Sequence, residues 1–124
     1  MKTKYFYLTI LIAWFVVVFI LSSISGDKIQ RIDTFHIPHL DKFVHFIMYS
    51  VMQYLWLLYM VKAEIVNKKG FIISSSIISV LYGVLMEMLQ SMFFIHRSGD
   101  LYDAITNTIG VLTVLLLYKN KLIP

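Results

Sequence analysis

The chain has 124 residues, of which 59% are hydrophobic and only 15% charged, with a mean hydropathy of +0.77. A soluble domain is about half apolar and roughly a quarter charged, so this composition argues against a water-soluble enzyme, a nucleic-acid binder and a disordered chain. The net charge of +4 comes from Lys and Arg at the edges of apolar runs, where membrane topology explains them better than nucleic acid, and the lack of cysteine removes disulfides and thiolate metal sites.

A helix that crosses a hydrocarbon core of about 30 Å needs about 20 mostly apolar residues. Four runs meet this requirement: Tyr5–Ile24, Phe43–Val61, Phe71–Ile95 and Leu101–Tyr118. They are continuous rather than alternating, which excludes a β-barrel. The expected fold is all-α: an integral membrane four-helix bundle forming one domain over residues 1–124, with helices at about 5–24, 43–61, 71–95 and 101–118. The first run follows Lys2 and Lys4 and precedes the small residues Ser23–Gly26, as in a secretory signal. It is longer than the usual ~7–15-residue signal core and reads as a retained helix.

Orientation follows from Lys and Arg in the short loops. Lys2, Lys4, Lys62, Lys68, Lys69, Lys119 and Lys121 fall on one side; Lys28, Arg31, Lys42 and Arg97 fall on the other. The bias predicts cytoplasmic N and C termini in a multi-pass protein of the cell membrane.

Polar residues within the runs gather at one depth, the outer half in this orientation. Asp41, His45 and Tyr49 recur at i, i+4 and i+8 on the second helix. Glu87 and Gln90 are i, i+3 on the third, with Gly83 one turn earlier. Asp100, Asp103, Asn107 and Gly110 form a stripe on the fourth. Charged side chains are costly in lipid and normally face the bundle interior or a watery cavity. The expectation is an outward-facing polar pocket lined by helices two, three and four. Each stripe also has a plainer reading. Asp41, Lys42 and Asp100 can be interfacial helix-end residues. Asn107 can bond a neighbouring helix, and Gly83 and Gly110 can permit close packing. Tyr49, Tyr54, Trp56 and Tyr59 suit packing or interface anchoring.

Chemically, His45 and Glu87 can form an acid–base pair if the fold brings them together. Carboxylates with a histidine can hold a divalent cation. Arg97 and Lys42 can grip a phosphate or carboxylate at headgroup level. No diagnostic metal spacing, phosphate-binding loop or nucleophile elbow is present, so neither metal nor cofactor is expected.

Asp41-Lys42-Phe43-Val44-His45-Phe46, with Tyr49 one turn on, resembles the D-K-x-x-H-F-x-x-Y opening of the VanZ-like family. Gly83, Glu87-Met88-Leu89-Gln90, Arg97-Ser98, Asp103, Asn107 and Gly110 resemble that family's E-L-x-Q, R-S, D-x-x-x-N-x-x-G run in order and spacing. The resemblance covers roughly residues 5–118. Ile95-His96 stands where relatives often have Pro-Gly, and Val111-Leu112-Thr113 where a second glycine often follows. The resemblance implies a four-helix membrane architecture and a link to teicoplanin resistance through the family's founding member. The candidate catalytic pair is Glu87 and His45. The candidate binding residues are Asp41, Lys42, Tyr49, Gln90, Arg97, Asp103 and Asn107.

Three roles are consistent with this pattern. One is an envelope protein that binds a lipid-linked cell-wall precursor or a glycopeptide antibiotic. Another is a membrane-embedded enzyme acting on a lipid phosphate or glycolipid through Glu87 and His45. The last is a structural or regulatory subunit. The expected partners are membrane lipids, that precursor or glycopeptide, and a second copy in a homodimer; no nucleic acid is expected.

Overall fold

The computed structural model describes residues 2–24, 39–93 and 99–124. It contains four helices, α1 (Lys2–Ser23), α2 (Leu40–Lys62), α3 (Lys68–Phe93) and α4 (Leu101–Lys119), and no strand among the described residues. Each helix is long and apolar enough to cross a membrane. At 1.5 Å per residue they span about 29 to 39 Å. The first three helices start a few residues earlier than the expected runs, because Lys2, Lys4, Asp41, Lys42, Lys68 and Lys69 also take helical conformation, whereas α1 stops at Ser23 and the expected end of the third run at residue 95 lies outside the described residues.

Local chemistry sets the helix ends. Asp100 caps α4, its Oδ1 accepting the Tyr102 amide at 2.9 Å. Asn67 plays the same part before α3, accepting the Gly70 amide at 3.0 Å. After α2 the chain turns through Glu64, at φ 54°, while the Ala63 and Ile65 amides reach back to the Tyr59 and Met60 carbonyls. This is the left-handed closure that satisfies a helix's last carbonyls.

The α2 helix is the hub and packs on all three others. It runs antiparallel to α3 in a constant register, with His45 opposite Glu87, Tyr49 opposite Gly83, and Gln53 opposite Ser79 and Ser75. It runs parallel to α4, where Lys42 meets Asp103, His45 meets Asn107 and Ser50 meets Gly110. A Cβ at Gly110 would stand 2.6 Å from the Phe46 carbonyl oxygen, so the absent side chain is what lets these backbones touch. Among the described residues, three side-chain bonds join α1 to the bundle: Trp14 Nε1 donates to the Met48 carbonyl at 3.0 Å, Tyr82 Oη to the Phe15 carbonyl at 2.8 Å, and Gln90 Nε2 to the Ser22 carbonyl at 3.1 Å. The first helix is thereby built into the bundle.

The radial distribution of polarity is the reverse of a soluble protein's. Ile12, Val16 and Phe19 on α1, Ile77, Leu81 and Met88 on α3, and Ile105, Leu112 and Leu116 on α4 are exposed. Ser22, His45, Gln53, Ser75, Ser79, Glu87, Gln90, Asp103 and Asn107 are buried. Such an exterior is stable against hydrocarbon and not against water. The apolar core lies between and below the polar groups. Val18, Met48, Tyr49, Met52 and Val111 form one cluster, and Leu57, Met60 and Val114 another.

Candidate functional site

The polar stripes of α2, α3 and α4 converge at the end of the bundle where α2 and α4 begin and α3 finishes. Asp41, His45, Tyr49 and Gln53 are one turn apart and form a file down the face that α2 turns to its neighbours. His45 is 2% exposed. Its Nδ1 is 3.1 Å from Asn107 Oδ1 and 3.6 Å from Glu87 Oε1, so α3 and α4 both reach the same ring nitrogen. Both neighbours are acceptors, which assigns the ring proton to Nδ1. The other nitrogen, Nε2, faces Asp41 Oδ1 at 3.7 Å.

A second centre lies one turn nearer the helix starts. Lys42 Nζ donates to Asp100 Oδ2 and to Asp103 Oδ1, each at 3.0 Å. Asp103 is buried, whereas Lys42 and Asp100 are partly open. The Tyr102 amide, and after it the Lys42 ammonium, hold the Asp100 carboxyl below the ordinary carboxylate range. Glu87 links the two centres: its Oε2 accepts the Asp100 backbone N–H at 3.1 Å while its Oε1 faces His45. The arrangement therefore carries carboxylates, an imidazole and an ammonium in a mostly buried space at the edge of the apolar spans.

The structure thus brings Asp41, Lys42, His45, Glu87, Asp103 and Asn107 together. Tyr49 lies one turn deeper. Its ring and the Asn107 amide both pack on Gly83, where an added Cβ would be 3.2 Å from Tyr49 Cε1 and 3.1 Å from Asn107 Nδ2. The Tyr49 hydroxyl and Asn107 Nδ2 are buried and find no hydrogen-bond partner among the described residues. Gln90 is directed elsewhere, onto the Ser22 carbonyl of α1, and acts there as a tie between helices. Arg97 lies outside the described residues.

Two residues stand outside the candidate set read from sequence, although Asp100 was placed in the polar stripe of the fourth helix. Asp100 belongs to the cluster through Lys42 and through the Glu87 bond to its amide. Gln53 forms a buried polar pair of contacts with α3, its Nε2 donating to Ser75 Oγ at 3.4 Å and its Oε1 accepting from Ser79 at 3.3 Å. The signal for Gln53 was present, since it continues the Asp41–His45–Tyr49 stripe at the next i+4 step.

Fold and site together define a small multi-pass membrane protein whose buried ionisable groups, among the described residues, are gathered inside one end of a helical bundle. The VanZ/LLP1 family model matches residues 6–123, nearly the whole chain. The protein belongs to that family. No curated protein and no solved structure matches the chain.

Proposed function

We propose that this chain is a cell-envelope protein that binds the headgroup of a lipid-linked cell-wall precursor, with the His45–Glu87–Asn107 and Lys42–Asp100–Asp103 centres facing outward. The convergence of these groups at the boundary between the apolar spans and water carries the reading. That depth is where a polyprenyl chain would lie along the exposed apolar helices and its polar head would meet fixed donors and acceptors. Lys42 ties α2 to α4 through Asp100 and Asp103 and is still 32% exposed, so a headgroup can reach its ammonium. The lysine-rich loops on the opposite side support the orientation. Protection against a lipid-tailed glycopeptide would follow if drug and precursor compete for one site.

Binding of a polyprenyl-pyrophosphate-linked sugar to protein in nanodiscs tests the proposal. Lys42→Ala is expected to weaken it by about tenfold, the scale of one lost charged hydrogen bond. Arg97→Ala is expected to act in the same direction. Unchanged affinity in both variants would refute the reading. Teicoplanin susceptibility of a Gram-positive host carrying wild type or expression-matched Glu87→Gln reads the cellular consequence.

The approach of Glu87 to His45 favours one alternative, a membrane-embedded enzyme in which Glu87 is the base and His45 its partner. Turnover of a polyprenyl-phosphate substrate that disappears in Glu87→Gln, with binding retained, would move the assignment to that reading.

A further inference from the structure

The second ring nitrogen of His45 makes no hydrogen bond in the contacts described so far. Asn107 Oδ1 and Glu87 Oε1 flank Nδ1 and place the proton there. Nε2 then presents a lone pair at the opposite edge of a ring that is 2% exposed. Among the described residues no hydrogen-bond donor or acceptor lies within range of it, and its near neighbour, Asp41 Oδ1, is 3.7 Å away. One ligand atom each from Asp41, His45 and Asp103 lie within 4.8 Å of one another. With the proton on Nδ1, Nε2 turns a lone pair towards these carboxylates, an arrangement that a cation between them would stabilise. The Lys42 ammonium already sits on Asp100 and Asp103, so an ion bound here would share Asp103 with Lys42.

We propose that Asp41, His45 and Asp103 bind a divalent metal ion through His45 Nε2 and one oxygen of each carboxylate. One imidazole with two carboxylates is a mixed nitrogen–oxygen donor set that suits Mn²⁺ or Zn²⁺. The His45 Nδ1–H···Asn107 contact, with Glu87 behind it, is the outer-shell arrangement that orients a metal-bound histidine and raises its basicity. Neighbouring ligand atoms in a filled octahedral shell are about 3 Å apart, so the set contracts on binding. Asp41 can make that movement, since its side chain is 46% exposed in the first turn of α2. Three protein ligands leave coordination positions open towards the bundle end. A phosphate oxygen would fill them; that last step rests on the headgroup reading, whereas ion binding does not.

The test uses the full chain, purified on a histidine-free tag, stripped with EDTA and placed in phosphatidylcholine nanodiscs. Titration with Mn²⁺, followed by the electron paramagnetic resonance of free ion, is expected to show a single saturable site that Zn²⁺ competes for. Asp41→Asn keeps the buried contacts and is expected to weaken binding about tenfold or more. Glu64→Gln, a carboxylate at the other end of α2, is expected to leave it unchanged. Pulsed resonance on bound Mn²⁺ should show coupling to an imidazole nitrogen, and His45→Gln should remove it. Absence of saturable binding of either ion would overturn the proposal, as would wild-type affinity in Asp41→Asn or equal losses in Asp41→Asn and Glu64→Gln. Polyprenyl-phosphate binding in the same nanodiscs separates the two claims. Ion binding without lipid binding upholds the site and refutes the headgroup reading; lipid binding without ion binding does the reverse.

Discussion

Glu87 holds α4 in place through the Asp100 amide and also presents a carboxylate to His45, so its two oxygens are separable by substitution. Glu87→Gln keeps an acceptor for the amide and removes the charge. Its thermal unfolding in detergent should shift by no more than about 1 kcal/mol, the difference between a charged and a neutral hydrogen bond. Glu87→Leu strands the amide and should cost about 1–3 kcal/mol. A site role for the charge then appears as lost binding or protection in a Glu87→Gln protein that remains folded. At Asp100 the expectation concerns pH. Its folded carboxyl sits below the ordinary value of about 3.9, so the Lys42–Asp100 contact is fully formed above that value and is lost only as pH falls through the depressed one. The side-chain carboxyl-carbon shift of Asp100 in an acid titration checks this, and a midpoint at or above the ordinary value would contradict it.

Among the elements, α2 and α4 form the closest pair, and Gly110 decides how close. Gly110→Val would force side-chain atoms into the Phe46 carbonyl and the Ser50 backbone. Separation of the helices should destabilise the protein by about 1–3 kcal/mol, and should also open the His45–Asn107 contact formed one turn earlier. Gly83→Ala meets only side chains, the Asn107 amide and the Tyr49 ring. It should cost less stability while perturbing the site more selectively. The α1 helix is attached mainly by single hydrogen bonds and aromatic packing, including Phe15 edge-on to Tyr82 at 4.8 Å. Tyr82→Phe retains that ring contact and removes the bond to the Phe15 carbonyl. Interhelical bonds in membranes average about 0.6 kcal/mol, so a small loss of thermal stability is expected, and a loss of several kcal/mol would mean that α1 depends on that bond.

For the whole molecule, the exposed apolar exterior and buried polar interior require a hydrocarbon solvent, but they do not choose which end faces out. The Lys and Arg bias predicts that choice. The natural chain has no cysteine, so single cysteines report sidedness without background. His39→Cys, just before α2, should react with an impermeant maleimide added to intact cells. Asn67→Cys, between α2 and α3, should react only after the membrane is opened. The opposite pattern would place the polar centres inside and refute the envelope role.

The family, the four spans and the three polar stripes were legible in the residues themselves. Apolar length, loop charge and the i, i+4 recurrence of Asp41, His45 and Tyr49 are properties of one chain and one helical period, and need no neighbour. The tertiary structure decided which stripes meet and at which atoms. Helix rotation placed Glu87 and Asn107 together on one nitrogen of His45, and turned Gln90 away to Ser22 on α1, although Glu87 and Gln90 are three residues apart. Register between α2 and α4 gave Lys42 both Asp100 and Asp103. These outcomes depend on how closely backbones approach, which Gly110 and Gly83 permit but cannot specify. They also depend on which buried polar atoms can find partners once lipid has replaced water as the solvent.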